Sequence, residues 1–494
     1  MIDTAIAAVN EWIWSAQIGP FSILVYLLVG TGLYLTVRSR GLQFRLFGHM
    51  AGVLRDSMAR TPDGVSGFQA FATSLASRVG VGNVVGVATA IVIGGPGAIF
   101  WMWVVAAVGM ATSFAETTLA QVFKTRDEGQ FRGGPAYYIT RGLGWRGFGL
   151  VVAVIGAFAY VMAFGPIQAN AMAGAVEGTF GIGPVLAGLA IALVSGIVII
   201  GGIRRIARVA EVVVPFMAVA YVALAAVVLL LKLPAVPGAL TTIVSSAFGL
   251  HAAAGGLVGG GMALAIQMGV ARGLFSNEAG LGTTPNAAAA ATVRHPVSQG
   301  LIQGFGVFID TIVICTATGL IILLSGTYTP GMAPDSAGTL TSQALTAEVG
   351  SLGGVFVTVA ILFFAFTSII AIAYYAETNL AFLGVRGRWI TVVRLVYIAM
   401  LFIGAVRSLT SVWSAADTFL GAMAIVNLIA IVALAPVTFR VLRDYEQQRA
   451  AGVVPAFDPA ALPEPIEGLD PHSWPSAVPA DAAAEDDALV ATRG

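Results

Sequence analysis

Two stretches of this sequence gather residues that do not belong in a plain apolar helix. The first is Ser77-Arg78-Val79-Gly80-Val81-Gly82-Asn83, set inside the apolar run 66–92. The second, IQMGVARGLFSNEAGLG at 266–282, holds Gly269, Arg272, Gly273, Ser276, Asn277 and Glu278. Glycines let a helix unwind, and unwound backbone at membrane depth is tolerated only where it is buried in protein or lines a cavity. The freed N–H groups of a half-helix suit a carboxylate, and the freed carbonyls suit a cation or an ammonium. A third feature is the adjacent pair Thr367-Ser368 in ILFFAFTSIIAIAYYAE. Two hydroxyls beside backbone carbonyls make a hard-oxygen site of the kind a small alkali cation prefers. The plainer alternative is that each hydroxyl bonds back to its own helix. Charges that stand out within apolar runs include Arg78, Glu116, Arg272, Glu278, Asp310 and Glu377. Each costs roughly 2.5–3.5 kcal/mol at a span centre, so each needs a partner or a wet cavity. For Arg78 and Arg272 an ion pair that braces helices competes with direct contact to a ligand. His295 falls in a loop and carries no evident role.

These residues have to be held by long helices. A bilayer core takes about 20 apolar residues per crossing. Runs of that kind fall at 17–37, 66–92, 97–122, 148–176, 183–202, 209–231, 255–281, 298–325, 352–383, 389–406 and 413–439. The expectation is an all-α membrane protein with about eleven spans. An amphipathic basic linker, 38–60, follows the first span, so 1–60 forms an N-terminal unit and 61–444 the core. From 445 to 494 Pro, Ala, Asp and Glu dominate, which predicts a disordered tail. The two unusual spans are the second and the seventh, five apart. Five helices followed by five in inverted orientation, after one extra helix, is an architecture that binds its ligand at the bilayer midplane on broken helices. Of the 25 Lys and Arg, only Lys232 and Arg407 fall in outward loops and Arg78 and Arg272 within spans. The rest collect on one side, which predicts an N-terminus outside and a C-terminus in the cytoplasm.

Composition excludes several classes. The 494 residues are 57% hydrophobic and 10% charged, with 60 glycines and a formal net charge of +0. A soluble domain carries about 25% charged residues. The charge balance offers nothing to a nucleic acid. The single cysteine, Cys315, rules out an intramolecular disulfide and a cysteine metal cluster. The four histidines, His49, His251, His295 and His472, are scattered, and no nucleophile–base or phosphate-loop motif appears, so neither an enzyme nor an ATP-driven pump is expected. No cofactor is expected. A channel would want a continuous polar pore, whereas the polar residues here cluster on two helices.

The segments GVATAIVIGGPGAIFWMWVVAAVGMATSFAETTLAQVF, RGGPAYYI, QMGVARGLFSNEAGLGTTPNAAAAA and GVFIDTIVICTATGLIIL resemble the alanine or glycine:cation symporter family, over about 10–445. The resemblance implies sodium-coupled uptake of small neutral amino acids through the cytoplasmic membrane on the bacterial leucine-transporter fold, with a proton replacing sodium in some members. It implies that Gly80, Gly82 and the Asn83 side chain hold the substrate carboxylate, that Gln168 contacts substrate, and that a seventh helix broken around Gly273, Phe275, Ser276 and Asn277 closes the other side. Sodium would lie between Ala76 and Val79 of the second span and Phe364, Thr367 and Ser368 of the ninth. The sequence departs from the family pattern at Val81, where a hydroxyl residue is expected, and at Ile372, where many relatives carry Trp. Ala371 and Ala376 replace expected glycines. A pocket without the indole at 372 is wider, which opens the alternative of a somewhat larger neutral amino acid, and the coupling alternative is a proton carried by Glu116, Asp310 or Glu377.

Overall fold

A computed structural model describes residues 17–18, 21–58, 64–127, 129–249 and 258–474. After a short strand pair, the chain runs through α1 (Ile23–Arg38) and the amphipathic α2 (Phe47–Asp56) into α3 (Gly67–Arg78), α4 (Gly82–Gly94) and α5 (Gly97–Val122). A two-stranded hairpin, Thr125–Asp127 with Gln130–Arg132, leads to α6 (Pro135–Gly142). Then follow α7 (Arg146–Phe180), α8 (Pro184–Ile199), α9 (Gly202–Leu231), α10 (Val236–Ala247), α11 (Val258–Asn277) and α12 (Thr284–Ala288). The last five are α13 (Pro296–Ser325), α14 (Ala337–Val349), α15 (Ser351–Phe382), α16 (Arg388–Val406) and α17 (Leu409–Ala450).

Among the described residues seven helices are long and apolar enough to cross a bilayer, or eight when α3 and α4 count as one bent span. The expected eleven are therefore not reached on that measure. The helices α1 and α8 have 16 residues each, about 24 Å of rise, short of a 30 Å hydrocarbon core. The Gly-rich residues 251–257, placed at the start of the seventh span, lie outside the described residues. Lipid-facing surface is nevertheless clear. Leu186 and Leu193 on α8, and Phe216, Val219 and Leu230 on α9, are all more than half exposed, which in water would be prohibitive.

Small residues set the closest approaches. A Cβ at Gly269 of α11 would stand 2.5 Å from the Ala98 carbonyl of α5, and one at Gly300 of α13 would collide with Thr118 and Phe114 of α5. The two helices on either side of α5 thus lie nearly backbone to backbone with it, and α5 becomes the central post. Among the described residues three π-helical turns interrupt the spans, at Gly82–Gly86, Tyr160–Phe164 and Phe308–Cys315, and most of their side chains are buried or half-buried.

The tail expected to be disordered from 445 is folded as far as Trp474. Residues 445–450 complete α17, and 451–474 return as a strap against the basic side of the helices. Its few large apolar residues are enough to dock it: Phe457, Leu462, Ile466 and Trp474 are buried. The Phe457 N–H donates to the Arg294 carbonyl, and the Trp474 indole donates to the Gln121 carbonyl. Lys124, just beyond α5, lies between the Phe131 and Trp474 rings, 4.1 and 4.2 Å from their centroids, and burial pushes its ammonium down to about 7. His295 also has a role that the sequence hid. Buried at the start of α13, its Nδ1 accepts from the Val297 N–H, and its Nε2 lies 3.0 Å from Asp444. The rest of the expected tail, 475–494, lies outside the described residues.

Candidate functional site

The capping box of Ser66 and Gln69 starts α3 firmly, and the helix stops at Arg78 because Val79 leaves helical geometry with ψ of 85°. The chain then bends by 46° into α4. Asn83 staples this break. Its Oδ1 accepts from the Gly80 N–H at 2.9 Å, and its Nδ2 donates to the Asp310 carboxylate of α13 at 2.6 Å. The Val81 N–H donates to Gln168 Oε1 at 3.2 Å. Gly80 has no room for a side chain: a Cβ there would meet Ser368 Oγ at 2.5 Å and Gln168 Oε1 at 3.2 Å. One residue of the break therefore touches α15 on one side and α7 on the other.

On the α15 side, Ser368 Oγ lies 2.8 Å from the Ala76 carbonyl and 2.9 Å from the Phe364 carbonyl, and Thr367 Oγ1 lies 3.0 Å from the same Phe364 oxygen. Of the five residues expected around a cation, Ala76, Phe364, Thr367 and Ser368 thus bring their oxygens into one knot, and Val79 is buried beside them in the break. Both readings of the hydroxyl pair are visible, since each bonds back to its own helix and Ser368 also crosses to α3.

On the α7 side is a small cavity of about 20 Å³, room for roughly one water. Gly82, Gln168, Phe275 and Ile372 are in its wall. Gly80 backs onto it through Gln168. Asn83 does not line it, because its amide is committed to Gly80 and Asp310. Gly273 sits against Met102 of α5, 3.6 Å from where a Cβ would be. Ser276 donates to Asp310 at 2.8 Å and Asn277 to Thr311 at 3.2 Å, so both face α13 rather than the cavity. The expected break around Gly273 to Asn277 is also displaced. α11 is continuous through Asn277, and the irregular segment is 278–283, with positive φ at Glu278, Gly280 and Gly282. The Glu116 carboxylate of α5 holds it open, accepting from the N–H groups of Gly280 and Gly282 and from Asn427 Nδ2 at 2.9–3.2 Å. Helix geometry survives Gly273 because α5 packs flush against it, and fails where the left-handed residues begin.

The cavity wall also contains Ser77, Arg78, Phe164, Glu278, Leu281 and Leu420. Arg78 and Glu278 announced themselves as charges in apolar runs. Phe164 and Leu420 gave no signal, because their spacing is that of any packed helix. Arg78 is fully buried and braces by hydrogen bonds, to the Gln303 carbonyl and Ser113 Oγ, both at 2.8 Å, rather than by an ion pair. Arg272 does make the expected pair, with Asp417 at 2.6 Å, and stacks over Trp413. Glu377 is held by both ends of Arg394 at 2.6 and 3.0 Å. Among the described residues Glu278 has only hydroxyl donors, from Ser77 at 2.5 Å, Thr283 at 2.7 Å and Thr284 at 3.4 Å.

Residues 1–459 match the model of the sodium:alanine symporter family. The chain is 45% identical over 459 residues to a protein of Bacillus subtilis named probable sodium/glutamine symporter GlnT, covering 92% of this chain and 93% of that one. It is 44% identical to the amino-acid carrier protein AlsT of the same organism, covering 92% and 94%. Among solved structures it superimposes on MhsT, crystallised in complex with L-phenylalanine, with a TM-score of 0.51 at 13% identity, covering 78% of this chain and 99% of that one. The shared fold is of the leucine-transporter type.

Proposed function

The chain belongs to the sodium:alanine symporter family, and from that membership we propose that it imports small neutral amino acids, alanine and glycine foremost, together with sodium across the cell membrane. The observation that carries the reading is the junction at Gly80, where one unwound residue is wedged between the Ser368 oxygen knot and Gln168 at the cavity. In this reading sodium would sit among the oxygens of Ala76, Val79, Phe364, Thr367 and Ser368, the two hydroxyls keeping their hydrogens but turning them away from the carbonyls, and so would stiffen the break. An entering amino acid would take the Val81 N–H from Gln168 and accept from the freed Gln168 amide with its carboxylate. Its side chain would meet Phe164, Phe275, Ile372 and Leu420. Each ligand orders the same three residues, so each raises the affinity for the other, which is the coupling a symporter needs. A cavity of about 20 Å³ is too small for alanine, so binding requires the walls to part, as alternating access demands. The solute itself undergoes no chemistry.

The aliphatic Ile372 in the cavity wall supports a second reading, a larger neutral amino acid, and the relative named for glutamine is in keeping with it. Proton coupling is the corresponding alternative for the cation, favoured by Glu278, which faces the cavity with hydroxyl donors alone. Calorimetric titration of the purified chain with alanine, glycine and glutamine, with sodium and with choline, tests both. Binding that tightens at least ten-fold in sodium is the expected result. Binding indifferent to sodium but dependent on pH would transfer the coupling to a proton.

A further inference from the structure

A groove of about 420 Å³ lies between the ends of α1 and α17 and the strap, lined by Arg38, Phe439, Arg440, Arg443, Asp444 and Glu464. Its carboxylates are engaged: Glu464 pairs with Arg440, and Asp444 accepts from His295 and Gln448. Arg38 lies over the Phe439 ring at 5.6 Å, and among the described residues neither Arg38 nor Arg443 has a carboxylate within 4 Å. Two exposed guanidinium groups are thus left facing one groove.

What lies beneath them identifies the ligand. Ile429, Val432, Pro436, Arg440 and Arg443 follow one another at helical spacing along a single face of α17. Ile429 and Val432 are exposed, as are Leu33 and Val37 on α1 immediately before Arg38. Two lipid-facing apolar stripes therefore end at the same pair of free arginines. Guanidinium groups take phosphate oxygens in pairs, and basic pockets between helices at a membrane edge suit acidic head groups. We propose that this groove binds the headgroup of an anionic phospholipid, its phosphate between Arg38 and Arg443 and its chains along Leu33, Val37, Ile429 and Val432. Strap residues Ala461–Glu464 close the other wall, so a bound lipid would also anchor the strap to the membrane edge.

The test is thermal unfolding of the full chain in mild detergent, titrated separately with phosphatidylglycerol, phosphatidylcholine and inorganic phosphate. Phosphatidylglycerol should raise the melting temperature and phosphatidylcholine should not. Arg38→Gln with Arg443→Gln should need roughly thirty-fold more phosphatidylglycerol for the same shift, from about 1 kcal/mol per arginine. Arg38→Lys with Arg443→Lys keeps the charge and loses only the paired geometry, so it should respond between the parent and the Gln pair, which separates lost binding from lost folding. Three results would overturn the proposal: an unchanged response in the Gln pair, equal protection by phosphatidylcholine, or full protection by inorganic phosphate at the same concentration, which would make this a phosphate site.

Discussion

Asn83 works through both ends of one amide. Its oxygen holds the Gly80 N–H and its nitrogen holds Asp310, so the break in the second span is tied to α13 through a single side chain. Truncation to Ala leaves two buried polar groups unmatched, at about 1–3 kcal/mol each. We expect Asn83→Ala to lower amino-acid uptake at least ten-fold while the protein still reaches the membrane, measured as uptake per amount of membrane-extracted protein. Uptake at the parental level would show that the staple is dispensable. Thr367 and Ser368 act differently, because their hydroxyls converge on carbonyl oxygens that already belong to helices. Removing both hydroxyls leaves those helices intact and takes away two cation ligands. Thr367→Ala with Ser368→Ala should raise the sodium concentration for half-maximal uptake by roughly ten-fold, and an unchanged sodium dependence would place the cation elsewhere. Asn83 itself was visible in the sequence as an amide in an apolar run, but its partner was not. Nothing in the spacing of residue 83 and residue 310 says that they meet.

At the scale of elements, helix bounds were largely legible. The run 97–122 is a helix over those same residues, because Gly-Gly-Pro before it and the polar Lys124 after it punctuate the chain. The break at 79–81 was legible too, from two glycines beside an Arg. The break after α11 was misplaced by about five residues, since glycine at 273 suggested unwinding while a non-glycine, Glu278, takes the first left-handed position. Such a residue is held by its surroundings, and here these are the hydroxyls of Ser77, 201 residues away on α3, and of Thr283 and Thr284, 5 and 6 residues further on. The π-helical turns were invisible for the same reason: a π turn is imposed by packing around an interior site, with no residue preference to betray it. Glu116 is the clearest example of tertiary support. Its carboxylate accepts three donors that fix 280–282. Glu116→Gln turns an amide N–H toward one of those donors, which costs about 1–3 kcal/mol. We expect a melting temperature lower by a few degrees in thermal unfolding of the purified chain, and an unchanged value would mean that the segment stands without it.

At the scale of the whole molecule, apolar composition and the one-sided distribution of arginines made the membrane reading legible, while the strap was lost to its own composition. A segment rich in Pro, Asp and Glu reads as solvated unless one knows that four apolar residues have a prepared surface to land on. Trp474 is the anchor, through its bond to the Gln121 carbonyl and its face against Lys124, the latter contact contributing about 0.5–2 kcal/mol. Trp474→Ala should speed amide hydrogen exchange across 456–474 several-fold and leave exchange in α5 and α15 unaltered; equal protection in both proteins would mean that the strap is held elsewhere. The central claim concerns the molecule as a carrier, in which a stiffened break links a cation to an amino acid. The most direct test is accumulation of radiolabelled alanine by proteoliposomes containing the full chain, under an inward sodium gradient and under an equal choline gradient. The account predicts accumulation above the external concentration with sodium and none with choline. Accumulation driven by a proton gradient without sodium, or no entry of alanine under either gradient, would contradict it.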